Sequence, residues 1–243
     1  VHRYLFGPLS ALALLLAACA PAVQTEVGSP ALEPFANPPI PFERRWIIAV
    51  PDFNVRSGSV KVGREELERR DQALVKELGT GVADIFLNEA FRSNQFRITE
   101  RAELGAILRE QDLAATGRID PRTAADVGRI TGAELIVLGS LTEFGVTSTG
   151  GGGIVFGLFG GTAETVTARV RVDVRVVDAV TAEILAIGTG TYEASQINVQ
   201  IEVLNIIRAL GAGRTGTTIV DIAVRNAIID AINQIAANLP SKR

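Results

Sequence analysis

The chain has 243 residues, a formal net charge of -3, one cysteine and one histidine, and so balanced a charge gives no electrostatic footprint for nucleic acid. His2 stands at the extreme amino end, which leaves the body without an imidazole for a His-based triad, a base poised near neutrality or a zinc site. Composition leaves an enzyme only carboxylate chemistry, and the chain reads as a non-enzyme with no catalytic residues, no cofactor and no metal.

Arg3 precedes an apolar run from Leu5 to Ala18, broken only by Gly7, Pro8 and Ser10. That length suits a signal-peptide core and falls short of the roughly 20 residues of a membrane-spanning helix. The run ends Leu16-Ala17-Ala18-Cys19, which resembles the lipobox of bacterial lipoproteins and implies cleavage before Cys19 and lipidation of its thiol. The alternative is a plain cleavage site beside a stray cysteine. A lone thiol in an exported protein has no internal disulfide partner, and several acyl chains, at about 0.8 kcal/mol per buried methylene, hold a protein firmly to a bilayer. Ala20 follows where an aspartate would signal retention at the inner membrane, so the expected place is the periplasmic face of the outer membrane. Residues 1–18 are read as the signal peptide and 19–44 as the lipidated cysteine and a tether carrying Pro21, Pro30, Pro34, Pro38, Pro39 and Pro41.

The folded body is expected from Arg45 onward. Trp46 to Val50 is a short apolar run closed by Pro51, fitting a strand buried on both faces. After a charged stretch from Val55 to Arg70, Leu74, Leu78, Val82, Ile85, Phe86 and Phe91 recur at helical spacing, weakened in the middle by Gly79 and Gly81. Phe96 to Thr99 reads as a brief strand, Glu100 to Gln111 as a second helix, and Asp120-Pro121 as the cap of a third helix that Gly132 ends. Glu134 to Leu141 is again a buried-strand run. From Thr165 to Val176 the period becomes two: Thr165, Thr167, Arg169, Arg171, Asp173 and Arg175 alternate with Val166, Ala168, Val170, Val172, Val174 and Val176. Asp178 to Thr181 turns the chain, Glu183 to Tyr192 returns as a partner strand, and a second alternating run, Gln196 to Val203, sets Gln196, Asn198, Gln200 and Glu202 against branched aliphatics. Thr218 to Leu239 closes the chain as an amphipathic helix.

Two segments interrupt this α+β body, near residues 145–177 and 188–217. The glycine run at 150–153 precedes no Lys-Ser or Lys-Thr pair and opens no helix, so a hairpin tip fits it better than a phosphate loop. Ile154 to Phe159 is an apolar block that wants cover, from the body, a neighbouring subunit or lipid. Alternation suits both a half-buried soluble sheet and the wall of a barrel. A single chain with two hairpins cannot close a barrel, and open edges in lipid leave backbone groups unpaired at several kcal/mol each. Hairpins that enter a membrane therefore require a ring.

Thr99 to Leu104 with Leu108-Arg109-Glu110, the strand Gly132 to Ser140, and Val174 to Leu185 resemble the curli-secretion lipoprotein family, CsgG, in order and spacing over nearly all of the chain. The resemblance implies a periplasmic α/β domain with a mixed sheet flanked by helices, plus two β-hairpins per subunit that contribute to an oligomeric transmembrane β-barrel. It further implies a homo-oligomeric outer-membrane channel through which unfolded, curli-like amyloid subunits leave the cell, with periplasmic accessory factors. On that reading Thr165, Thr167, Arg169, Arg171, Asp173, Arg175, Gln196, Asn198, Gln200 and Glu202 line the pore. The family's constriction loop corresponds to Arg56 to Arg70, with Val60, Lys61, Val62, Arg64, Glu65, Glu66 and Glu68 as its candidates; this stretch lacks the family loop's aromatic residues. The competing reading is an adaptor lipoprotein that binds envelope enzymes or surface machinery and inserts nothing.

Overall fold

The computed structural model describes residues 31–56, 58–62, 65–66, 72–100, 108–109, 111–112, 116, 131–149, 161–201 and 218–242. Cys19, the block at 154–159, the helix expected from Asp120, and Arg64, Glu68 and Glu202 lie outside them. Among the described residues, eight strands form one mixed sheet: β1 (Trp46–Ala49), β2 (Asn54–Val55), β3 (Val60–Val62), β4 (Glu65–Glu66), β5 (Phe96–Ile98), β6 (Leu135–Thr149), β7 (Gly161–Asp178) and β8 (Ile184–Ile201). Strand β6 is the spine, with β1, β2 and β3 parallel to it on one side and β7 antiparallel on the other. Strand β8 then pairs antiparallel with β7.

Two long helices cover one face of this sheet. Helix α1 (Gln72–Arg92) runs through Gly79 and Gly81 as a single element and buries Leu74, Leu78, Val82, Ile85 and Phe86. It stops where Asn94 takes a left-handed φ of 56°, a helix-ending conformation that asparagine tolerates. Helix α2 (Ile219–Asn238) starts at Thr218, whose hydroxyl accepts the Asp221 N–H, and Asp221 itself adds an acidic group in the first turn where the helix dipole favours it. Across the α1–α2 contact the buried Glu89 carboxylate pairs with Arg225 at 2.5 Å and with Arg92 at 3.0 Å. Burial of that carboxylate requires such partners.

Three expectations are corrected. Residues 31–41 are not a free tether: the Asn226 carboxamide accepts from the Glu33 N–H and donates to the Ala31 carbonyl, both at 2.8 Å. Asn233 accepts from the Ala36 N–H at 2.9 Å and donates to the Pro34 carbonyl at 3.3 Å. Two asparagines one heptad apart on α2 thus act as a ladder for an extended strap, because proline-rich chain has few other ways to satisfy its backbone. Secondly, the returning strand and the alternating run beyond it are one continuous strand, β8. Thirdly, β6 is buried on one face only: Leu135, Val137 and Leu141 lie in the core, while Leu138 is exposed.

Candidate functional site

The long sheet β6–β7–β8 carries the candidate positions, and its two faces differ. Val166, Ala168, Val170, Val172, Val174 and Val176 are all buried beneath α2, each valine contributing on the order of 1.5–3 kcal/mol by leaving water. On β8 the same face reads Ala186, Gly188, Gly190, Tyr192 and Ala194. Its glycines bring the helix close: a Cβ at Gly188 or Gly190 would overlap the Ala231 or Ala227 carbonyl oxygen. Because Gly190 meets Ala227 and Gly188 meets Ala231, α2 runs antiparallel to β8 and its amino end points toward the β8 end at Ile201. The strap, with Ala31 at Asn226 and Ala36 at Asn233, sends its amino-terminal end the same way.

The opposite face holds a polar ladder. Arg169 reaches Glu143 at 3.3 Å and Glu193 at 3.8 Å, and Arg171 reaches Asp173 at 3.6 Å. Thr167 and Ser195 hydroxyls are 2.9 Å apart, and Thr189 donates to Asp173 at 2.8 Å. Partial burial works to raise the Asp173 pKa, but hydrogen bonds from Thr189 and Thr142 and the charge of Arg171 outweigh it and hold the carboxyl below its usual range. These charges are half exposed, so each pair contributes little to stability.

Register decides what the two alternating runs share. In β7–β8, Thr165 pairs with Ile197, Val166 with Gln196 and Thr162 with Gln200. Gln196, Asn198 and Gln200 therefore fall on the valine face, not on the face of Thr165, Thr167, Arg169, Arg171, Asp173 and Arg175. The two candidate rows lie on opposite sides of the sheet. The cause is a bulge: Val176 pairs with Ala186 but Val177 pairs with Ile184, leaving Leu185 as an extra residue. Without it Thr165 would pair with Gln196 and the rows would share a face.

The same register shows that the faces exchange character along the hairpin. Below Thr165 the valine face is apolar and the other polar; beyond it, by backbone register and sequence pattern, the valine side continues at Thr162, Glu164, Gln196, Asn198 and Gln200, and the other at Ala163, Ile197, Val199 and Ile201.

The expected constriction segment is a small hairpin at the sheet's margin. Val60 pairs with Phe144 and is fully buried in the core. Lys61 is exposed and pairs with Glu66, and Val62 pairs with Glu65. At the sheet's other end Glu134 accepts from Lys242 at 2.6 Å and from the Ile47 N–H at 2.9 Å. Burial works to raise its pKa, and these bonds, with the charges of Lys242 and Arg97, lower it below the usual range. Among the described residues no cluster of three His, Cys, Asp or Glu could hold a metal, and no helix is long and apolar enough to cross a membrane.

Among the described residues, an α+β body of one mixed sheet and two long helices is the class that this architecture defines. The model of the curli production assembly/transport component CsgG matches residues 36–243, and the chain belongs to that family, one of transport components and not of enzymes. Comparison with curated proteins finds no match. Among solved structures the chain is similar to XCC0632 from Xanthomonas campestris, at 11% identity over 86% of this chain and 94% of that one, with a TM-score of 0.43. It is also similar to lipoprotein GNA1162 from Neisseria meningitidis, at 14% identity, 67% and 92% coverage and a TM-score of 0.32. A PelC dodecamer from Paraburkholderia phytofirmans matches at 13% identity, 79% and 92% coverage and a TM-score of 0.29.

Proposed function

We propose that the protein is an outer-membrane lipoprotein, anchored through Cys19, whose copies form a ring and close a β-barrel channel for the export of unfolded polypeptide. One observation carries this reading: the exchange of polar and apolar faces at the Thr165–Ile197 pair. A sheet that stays in water beneath a helix has no reason to exchange its faces. A sheet that leaves its helical cover for lipid does, since the side facing hydrocarbon must become apolar and the side facing a wet lumen polar. Gln196, Asn198 and Gln200 then line the lumen, Ile197, Val199 and Ile201 face lipid, and the row Thr165 to Arg175 sits on the outer surface below the membrane. The strap supports the same orientation, because it directs the chain toward Cys19 at the end where the faces exchange. The residues between Cys19 and Ala31, at about 3.3–3.6 Å each, reach no more than roughly 40 Å.

The cargo on this reading is an unfolded, curli-like subunit, delivered with periplasmic accessory factors, and the constriction is contributed by Lys61 and the segment through Glu68. The test is single-channel recording on oligomers extracted in detergent and added to planar bilayers. Discrete conductance steps are expected. Rings that never conduct, or particles that stay monomeric, would return the protein to the adaptor reading.

A further inference from the structure

Strand β8 pairs with β7 only, so among the described residues its other side is an edge. Residues 184–192 of that strand, Ile-Leu-Ala-Ile-Gly-Thr-Gly-Thr-Tyr, contain neither charge nor proline, and Ile184 and Ile187 are exposed. An uncharged, β-prone window on an edge is a template for pairing with another chain, and lysine or proline is the usual protection.

Here α2 supplies two side chains instead. The Gln234 carboxamide accepts from the Thr189 N–H at 3.0 Å and donates to the Thr189 carbonyl at 2.7 Å. That is the donor and acceptor a neighbouring strand would offer at a hydrogen-bonded position. Gln234 also donates to Asp230 at 3.0 Å, which sets the direction of its amide, and the other Asp230 oxygen accepts from the Thr191 N–H at 3.3 Å. Side chains this short reach the strand because Gly188 and Gly190 let the helix backbone approach.

We propose that Gln234 and Asp230 form a guard that closes the lower half of the β8 edge to strand addition, the excluded partner being the same segment, 184–192, of a second copy. The partner follows from the segment itself, since identical uncharged strands in register satisfy one another's backbone and stack their like side chains. The guard does not depend on whether the protein conducts.

The test uses the full chain in detergent and a fluorescein-labelled peptide of residues 184–192, read by anisotropy. Wild type is expected to leave the peptide free. The Asp230→Ala/Gln234→Ala variant is expected to bind it about tenfold or more tightly, and adding Ile187→Lys, which places a charge on the edge, is expected to abolish that binding without restoring thermal stability. A folded double variant that binds no more peptide than wild type overturns the proposal, as does binding that survives Ile187→Lys. Hydrogen exchange of the wild-type Thr189 and Thr191 amides is independent of how the variants fold. Slow exchange at both supports the guard, and exchange at the rate of an open strand edge overturns it.

Discussion

Gly190 shows how much a single missing atom controls. It lies on β8 directly under α2, where a methyl group would meet the Ala227 carbonyl. Gly145, on β6, has no atom nearer than 3.9 Å to the same added group. Gly190→Ala is therefore expected to cost about 2 kcal/mol through displacement of the helix, whereas Gly145→Ala should stay within roughly 0.5 kcal/mol. Urea denaturation of the two variants measures both, and equal costs would mean that α2 is free to shift. Phe53 follows the same logic: its ring fills the space beside Gly139 and tilts against Phe86 at 5.4 Å. No periodicity in the sequence marks Gly139, Gly188 and Gly190 as seats for a ring or a helix, because the atoms they make room for come from distant elements.

At the level of elements, the strap is the main departure from the sequence reading. Proline-rich composition describes residues 31–41 correctly as extended, but an extended chain also docks when side chains are spaced to satisfy it. Asn226 is fully buried and committed to the strap by two hydrogen bonds. Asn226→Ala removes both and strands the backbone groups of Glu33 and Ala31, at an expected cost of about 2–3 kcal/mol. Limited proteolysis should then cut within 31–41 well before the body is digested. A strap as resistant in the variant as in wild type would show that the Asn233 bonds and Phe35, which packs against the core, hold it without Asn226. The signal was present in the sequence as two asparagines one heptad apart on the closing helix, though nothing local says what they bind.

For the whole molecule, the decisive property is the relation between faces. If the valine face becomes the lumen beyond Gln196, then Gln200→Lys should shift the ion selectivity of the channel toward anions. Arg171→Glu, on the other face, should leave selectivity nearly unchanged. Reversal-potential measurements under a salt gradient decide between them, and the opposite outcome would place the lumen on the side of Thr165 to Arg175. Family membership, the α+β class, both long helices and the strict alternation of β7 were all legible in the sequence, because periodicity in side-chain character is local and survives without knowledge of partners.

What the sequence determined by itself was which residues alternate and which run with helical period. What only the tertiary structure decided was which alternating rows lie together. That depended on Leu185, one residue bulged out of register beside a turn. A shift of one position in a two-residue repeat moves every later side chain to the other side of the sheet, and here it leaves the six buried residues of β7, from Val166 to Val176 beside the bulge, on the face that packs against α2.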